Sequence, residues 1–254
     1  FDGVSISHSL VKTLPGCLRK ENWNVTATIT TSNPCSILTN LEPGNTSNKH
    51  LGLVFDLGTT AIRGQLVDLN TGVIMADAAE YNAQSSYGED VISRIAYCKR
   101  DGGLDCLQKA VVGTVNKLIN TLFEHTETSH KEISHMVVAG NTVMMHLLYG
   151  VDPETLRLSP YVPAFDTPPQ IPACELGIEV LPQVHIHAVP GVASYIGGDI
   201  VAGITGTGIY QREEICLYID IGTNGEIVAG NYEWLVTAAC SAGPTFEGGG
   251  IKHG

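Results

Sequence analysis

The sequence contains the stretch Leu53-Val-Phe-Asp56-Leu-Gly58-Thr59-Thr60, and a second version of it, Leu217-Tyr-Ile-Asp220-Ile-Gly222-Thr223-Asn224-Gly225-Glu226, lies far downstream. In both versions an apolar run ends in Asp, Gly and Thr follow, and a second run begins, over residues 62–67 and 227–229 respectively. Apolar runs separated by a short Gly-containing turn are typical of β-hairpins. The pattern therefore predicts two hairpins that carry the same residue types at their tips.

The predicted hairpin tips have the chemistry of a phosphate site. A glycine at each tip, Gly58 or Gly222, lets the backbone approach a bulky anion closely. Asp56 and Asp220 sit where a carboxylate can hold Mg²⁺, directly or through water, beside bound phosphates. The amides and hydroxyls of the neighbouring threonines can donate to phosphate oxygens, and these residues are Thr59, Thr60 and Thr223. Two such tips facing each other would form a phosphate clamp.

Other phosphate-binding motifs are absent from the sequence. The chain has no Gly-x-x-x-x-Gly-Lys-Ser/Thr loop, and no Gly-x-Gly-x-x-Gly lies between a strand and a helix. The formal net charge of −12 and the scattered Lys and Arg residues argue against a nucleic-acid surface. The composition favours a protein partner or a small ligand that brings its own cation.

Cysteine spacing and hydropathy favour a cytoplasmic protein without membrane contact. The seven cysteines include no Cys-x-x-Cys pair, which is typical of reduced thiols rather than of a metal site. No basic head with an apolar core opens the sequence, so no signal peptide is predicted. The longest apolar stretch, residues 191–210, contains Asp199 and six glycines. It predicts a buried, closely packed helix over 191–209 rather than a membrane span.

Alternating strand-like and helix-like patterns predict an α/β protein in three parts. Residues 1–48, with an alternating strand at 23–29 and a polar run from 40 to 50, are predicted to be the end of a middle or linker region. Residues 49–212 are predicted to form a first subdomain. Its predicted elements are the first hairpin, a strand toward Ala79, a helix at 106–125, a strand at 136–139 and a helix through 146–149. Residues 213–254 would begin a second subdomain, which we expect to be truncated because no final strand or helix completes it.

Small residues and a single carboxylate follow the second hairpin. The run is Ala238-Ala-Cys-Ser241-Ala-Gly243-Pro244-Thr-Phe246-Glu247-Gly248-Gly-Gly. Unhindered amides and one acid suit a third phosphate-contacting loop, and a flexible turn is the alternative. We favour the loop, with Gly243 and Glu247 as its contacts, because it closely follows the second hairpin.

Paired Asp-x-Gly-Thr hairpins in an α/β chain resemble the ribonuclease H-like fold of the actin, sugar kinase and Hsp70 ATPase superfamily. Three further stretches narrow the resemblance: Gln84-Ser-Ser-Tyr-Gly88-Glu-Asp90-Val-Ile-Ser-Arg94-Ile, Ala139-Gly-Asn141-Thr-Val-Met144-Met-His146-Leu-Leu and Ser241-Ala-Gly-Pro244-Thr-Phe-Glu247-Gly. Together with the hairpins, they make the chain similar to the reductive activators of corrinoid proteins over its whole length.

The resemblance implies an ATPase coupled to electron transfer, with ATP and Mg²⁺ as cofactors, that returns Co(II) to Co(I) in a partner corrinoid protein of a methyltransferase system. A [2Fe–2S] cluster in an N-terminal ferredoxin module would supply the electrons, and that module has no counterpart in this chain. The partner would be a corrinoid iron–sulfur protein or the corrinoid subunit of a methyltransferase. A homodimer is a further expectation from the family.

By motif position, the resemblance also implies residue roles. Asp56 and Asp220 would hold Mg²⁺ or orient the attacking water, and Glu226 is a further catalytic candidate. The phosphate-contacting set would be Gly58, Thr59, Thr60, Asn141, Gly222, Thr223, Asn224, Gly225, Gly243 and Glu247. For His146 a core or cap position is favoured over a cobalt-ligand role. Asp90 and Arg94 are expected to form a structural pair.

Three other functions stay open at this point. A small-molecule kinase on the same scaffold would need a catalytic base near an acceptor pocket, and the pattern identifies no Asp for it. An activator of 2-hydroxyacyl-CoA dehydratases shares the ATPase fold but carries a cluster on cysteines at a dimer interface, where Cys98 and Cys106 lack a supporting pattern. A nucleotide-switched binding module without turnover is the non-enzymatic alternative.

Overall fold

The computed structural model describes residues 3–32, 35–128 and 130–242, and it confirms the predicted α/β class. The strands are Val4–Ile6 (β1), Val25–Ser32 (β2), Cys35–Pro43 (β3), Leu51–Leu57 (β4), Ala61–Asp68 (β5), Ile74–Tyr81 (β6), Ile133–Gly140 (β7), Ile171–Pro172 (β8), His185–Ala188 (β9), Cys216–Ile221 (β10), Asn224–Gly230 (β11) and Leu235–Ser241 (β12). The helices are His8–Lys20 (α1), Val91–Cys98 (α2), Gly103–Thr126 (α3), Thr142–Tyr149 (α4) and Gly198–Thr207 (α5). None of these helices has both the length and the apolar composition needed to cross a lipid bilayer.

The first hairpin lies at the centre of a six-stranded sheet with the order β6-β5-β4-β7-β9-β8. β4 pairs antiparallel with β5, as the hairpin pattern predicts, and it also pairs parallel with β7. Alternate residues of β4 point into a core shared with α3 and α4. Phe55 is fully buried there, and Gly64 makes room for it, since a Cβ at Gly64 would lie 2.7 Å from the Phe55 ring. Burying such a side chain stabilises the fold by about 2–3 kcal/mol.

The N-terminal residues form more structure than the sequence pattern predicts. β1, β3 and β2 make a three-stranded sheet, and α1 packs against β3. Ser7 caps α1 by accepting the Leu10 N–H. The sequence analysis missed α1 because Pro15 lies inside it and obscures the helical period. The polar run that begins at residue 40 is not wholly irregular, because residues 40–43 belong to β3.

The second hairpin, β10–β11, forms as predicted and is extended by β12 into a separate three-stranded sheet. The preceding helix is shorter than the predicted 191–209, because α5 begins only at Gly198. Before it, Val192 and Ala193 donate their N–H groups to the Ile196 carbonyl in a tight turn. The prediction of a fully buried helix is also wrong, since residues 205–207 are exposed.

Candidate active site

The tips of the two hairpins meet at one cleft. The hydroxyls of Thr60 and Thr223 share a hydrogen bond of 2.8 Å, so the β4–β5 and β10–β11 turns are in direct contact. The cleft beside them is open to solvent and has about 450 Å³ of empty space. Its lining residues are Asp56, Gly58, Thr59, Asn141, Asp199, Asp220, Gly222, Thr223, Asn224 and Glu226. All of these except Asp199 were predicted from the sequence as site residues.

One further predicted contact lies elsewhere, and two are not described. Gly225 does not line the cleft but faces β12, where an added Cβ would lie 3.2 Å from Cys240 Sγ. Gly243 and Glu247 lie outside the described residues. The third-loop prediction therefore stays a prediction.

Asn141 joins the first hairpin to α4. Its side-chain oxygen accepts the Met144 N–H at 2.9 Å and so caps the helix, while Nδ2 donates to Thr59 Oγ1 at 3.0 Å. Gly197 packs directly against this corner, because a Cβ there would lie 2.5 Å from the Asn141 Cα. The orientation of the Thr59 hydroxyl is thus fixed by a helix cap.

Asp220 and Glu226 stand opposite each other on the antiparallel strands β10 and β11, which places both side chains on one face. Glu226 is only 7% exposed, although it lies close to the hairpin turn. Tyr218 Oη donates to Asp220 Oδ2 at 3.3 Å. Burial, together with the Asp220 charge, raises the pKa of Tyr218 to about 12. Acidic side chains therefore dominate this side of the cleft.

Asp199 is the cleft residue that the sequence analysis missed. It is the second residue of α5, and its Oδ1 accepts the Ile200 N–H at 2.9 Å. Burial and, to a smaller extent, the charges of Asp56 and Asp220 raise the pKa of Asp199 to about 6, against the opposing effect of the hydrogen bond from Ile200. The sequence signal that could have identified Asp199 was a single acidic residue, directly after two glycines, in an otherwise apolar run. A pKa near neutrality suits a group that accepts a proton during a reaction.

Asp199→Asn is expected to stabilise the protein at high pH. An unfolded Asp ionises near pH 4, so between about pH 4 and about pH 6 the folded state holds a proton that the unfolded state has released. Stability is therefore highest below this window and falls, by up to about 3 kcal/mol, as the pH rises through it. Asn keeps an acceptor for the Ile200 N–H but carries no charge.

Urea unfolding in EDTA provides the measurement. We expect Asp199→Asn to raise the free energy of unfolding by about 1–3 kcal/mol at pH 8 and to leave it unchanged at pH 4. An equal effect at both pH values would contradict the raised pKa of Asp199.

The carboxylates of the cleft fit Mg²⁺ bound together with phosphates. Within the described ranges, no three His, Cys, Asp or Glu side chains are arranged to hold a metal ion by themselves. Mg²⁺ ordinarily takes one or two carboxylates and completes its shell with water and substrate phosphates. Asp56 and Asp220, one from each hairpin, are a donor set of that kind.

A second pocket of about 650 Å³ adjoins the cleft and shares Asn224 and Glu226 with it. Its other lining residues are Asp90, Val91, Ile92, Tyr195, Ala239 and Cys240. Asp90 accepts the Ser93 N–H as the N-cap of α2, whereas Arg94 donates to neutral acceptors. The expected Asp90–Arg94 pair is therefore an interaction of charges, and the hydrogen bond between the two residues runs from the Arg94 backbone N–H to the Asp90 carbonyl rather than between the side chains.

His146 occupies a core position, as the sequence analysis favours. Its side chain is fully buried and stacks on Phe165. Nδ1 lies 2.7 Å from the Thr142 carbonyl, and Nε2 accepts the Ala164 N–H. Both ring nitrogens are satisfied within the protein, and burial lowers the pKa of His146.

Three family models match consecutive parts of the chain. They are described as the RACo linker region (residues 1–48), the RACo middle region (residues 51–212) and the C-terminal domain of RACo, the ASKHA domain (residues 214–254). ASKHA denotes the actin, sugar kinase and Hsp70 ATPase superfamily, so the predicted fold is confirmed.

The chain is also similar to individual proteins. The corrinoid activation enzyme RamQ of Eubacterium limosum is 29% identical over 214 residues, which cover 84% of this chain and 36% of RamQ. The [Co(II) methylated amine-specific corrinoid protein] reductase of Methanosarcina barkeri is 24% identical over 212 residues, which cover 80% of this chain and 38% of the reductase.

A solved structure described as a reductive activator for corrinoid, iron–sulfur protein superposes with a TM-score of 0.93 at 46% identity. The match covers 99% of this chain and 40% of the solved chain. The present chain thus spans well under half the length of these relatives. With the middle-region model alone matching residues 51–212, the chain belongs to the RACo family.

Proposed function

We propose that this chain is the phosphate-binding part of an ATP-dependent enzyme that reductively activates a corrinoid protein, returning Co(II) to Co(I) for methyl transfer. The observation that carries the proposal is the meeting of two Asp-x-Gly-Thr turns, joined by the Thr60–Thr223 hydrogen bond, at one acidic cleft. Two relatives are named for activating or reducing corrinoid proteins, which supports a corrinoid protein as the partner.

In this proposal the two hairpins hold the phosphates of ATP between them. Asp56 and Asp220 would hold Mg²⁺, which neutralises phosphate charge when it is bound. Asp199 would accept the proton of the attacking water, and Glu226 would help to orient that water. The proposed phosphate contacts are Gly58, Thr59, Thr60, Asn141, Gly222, Thr223 and Asn224, together with Gly243 and Glu247 outside the described residues; Gly225, which faces β12, would act only through the shape of the turn.

The Thr60–Thr223 contact suggests how nucleotide could do work in this system. Residues 49–212 and 213–254, which we propose as parts of two ATPase subdomains, each contribute one of these hydroxyls. A phosphate bound between the tips would replace this hydrogen bond with several charge-assisted ones. ATP shifts a conformational equilibrium only by its differential affinity for the two states, and opening or closing of this contact is the geometry available for such a shift.

Electrons would come from outside the described chain. In the proposed reaction one electron passes to Co(II) of the partner from a reduced [2Fe–2S] cluster, which we place in the longer proteins of the family. The second pocket is a concave surface next to the phosphate cleft, at the start of α2, and it shares Asn224 and Glu226 with the cleft. The partner protein would contact the chain there. A homodimer remains part of this proposal.

A small-molecule kinase is the second candidate function. The second pocket adjoins the cleft, and Asp199 supplies the acid with a pKa near 6 that the sequence pattern did not reveal. A kinase would transfer the terminal phosphate of ATP to an added acceptor, whereas an activator would release it to water. Thin-layer analysis of labelled ATP with candidate acceptors separates these two outcomes.

Isothermal titration with Mg-ATP, Mg-tripolyphosphate and a Co(II) corrinoid protein tests the main proposal. We expect the wild-type chain to bind tripolyphosphate more tightly with Mg²⁺ than without it, and to bind the corrinoid protein with an affinity that depends on bound polyphosphate. Thr223→Val should weaken Mg-tripolyphosphate binding by about tenfold, because it removes one donor and the contact with Thr60.

Thr237→Val on the exposed surface of β12 is the matched control and should bind as the wild type does. Failure of the wild-type chain to bind any Mg-polyphosphate would refute the phosphate site. Polyphosphate binding without any corrinoid-protein binding would instead favour the kinase.

A further inference from the structure

Two residues, Asn82 and Arg94, hold three consecutive carbonyl oxygens at the turn between β4 and β5. The Gly58 carbonyl accepts Asn82 Nδ2 at 3.0 Å, the Thr59 carbonyl accepts Arg94 Nη2 at 2.6 Å, and the Thr60 carbonyl accepts the Asn82 N–H at 2.8 Å. In a trans peptide the N–H points away from the carbonyl. The N–H groups of the same three peptides therefore point away from Asn82 and Arg94. Consecutive amides arranged in this way form an anion-binding concavity.

Arg94 is an unusual member of this cluster because it is a fully buried cation. Besides Thr59, its N–H groups donate to the Gln84 side-chain oxygen at 3.1 Å, the Gly88 carbonyl at 3.0 Å and the Met144 sulfur. All of these acceptors are neutral. Burial lowers the pKa of Arg94 to about 10, so the guanidinium stays charged at neutral pH. Keeping a charge in such a place is costly unless something compensates it.

The charge of Asp90 provides part of that compensation, and an anion bound at the turn would add to it. A carbonyl that accepts a hydrogen bond from a cation polarises its whole peptide group, which makes the N–H of the same peptide a stronger donor. For the Thr59–Thr60 peptide, that N–H belongs to Thr60. The capping box of Asp90 and Ser93 fixes the start of α2 and hence the position of Arg94.

We propose that Arg94 is a positioning residue for polyphosphate binding, which polarises the Thr59–Thr60 peptide and places positive charge beneath the turn. The inference rests on the proposed function, since it takes the cleft to be the site of the ATP phosphates. In this role Arg94 touches no phosphate, and its effect on affinity depends on which polyphosphate is bound. Because the interaction is one of charge, the contribution of Arg94 grows with the number of phosphate groups in the ligand.

Titration with Mg²⁺ and orthophosphate, pyrophosphate or tripolyphosphate tests this rule. Arg94→Met should weaken tripolyphosphate binding by about tenfold or more, pyrophosphate binding less and orthophosphate binding least. Arg94→Lys keeps the charge and should retain most of the affinity for tripolyphosphate. Arg100→Met, which removes an exposed arginine that lies over the Tyr97 ring, should bind all three anions as the wild type does.

Equal weakening for all three anions would overturn the proposal and reduce Arg94 to a structural role. If Arg94→Met does not fold, the amide resonance of Thr60 in the wild-type chain decides. Its proton should move downfield when tripolyphosphate binds, and an unmoved Thr60 amide in the bound protein would overturn the proposal. A wild-type chain that binds no polyphosphate would refute the proposed function itself, which is a different result from bound polyphosphate without an Arg94 effect.

Discussion

Asp220→Asn should weaken polyphosphate binding only when Mg²⁺ is present. With Mg²⁺ present, the variant loses one of the two carboxylates proposed to hold the ion, and we expect the affinity for Mg-tripolyphosphate to fall by about 100-fold. Without Mg²⁺, the same change removes a negative charge that repels the anion, so the variant should bind tripolyphosphate at least as well as the wild type does. The Asn oxygen can still accept the Tyr218 hydroxyl.

Asp105→Asn serves as the control, because it makes the same change of charge at an exposed position in the first turn of α3. Titration calorimetry of both variants, with and without Mg²⁺, gives the comparison. A loss of affinity that is equal in the presence and absence of Mg²⁺ would show that Asp220 acts on the fold of the turn and not through the ion.

Gly58→Ala should be among the most damaging single substitutions in the chain. A Cβ at Gly58 would lie 2.3 Å from the Ala61 carbonyl oxygen, a backbone atom that cannot rotate away. The turn must therefore distort, and we expect a loss of about 3 kcal/mol in the free energy of unfolding. Because the same turn presents the Thr59 and Thr60 groups, Mg-tripolyphosphate binding should be lost as well.

Gly113→Ala provides a matched control, since no atom lies within 4 Å of the Cβ position in the exposed face of α3. Alanine favours a helix interior over glycine by about 0.5–1 kcal/mol, so this variant should be slightly more stable than the wild type. Urea unfolding of both proteins at one pH gives the two values. A Gly58→Ala protein of wild-type stability would mean that the turn relaxes at little cost.

The sequence predicted the elements whose determinants are local. Both hairpins and the strand at 136–139 follow from short apolar runs and their turns, and the structure confirms them. The helix predicted at 106–125 also forms, as Gly103–Thr126. Along these stretches the hydrophobic period and the burial agree.

The features that the sequence did not predict depend on contacts between distant residues. α5 starts at Gly198 because its first turn is pressed against Val189, where an added Cβ would lie 2.3 Å from the carbonyl oxygen. The same packing places Asp199 beside Asp56 and Asp220, although nothing adjacent in sequence marks it as a site residue. The helix α1 was not predicted because a proline inside it obscures the helical period. Packing against the rest of the protein allows the helix to form there.

The two pockets that share Asn224 and Glu226 have a thermodynamic consequence. Side chains that face two ligands at once let each ligand alter the free energy of binding the other, and the two effects must be equal. If bound polyphosphate changes the affinity of the second pocket for its ligand by some factor, then that ligand must change the affinity of the cleft for polyphosphate by the same factor. The occupant of the second pocket would thus set how tightly the cleft retains its nucleotide, without touching a phosphate.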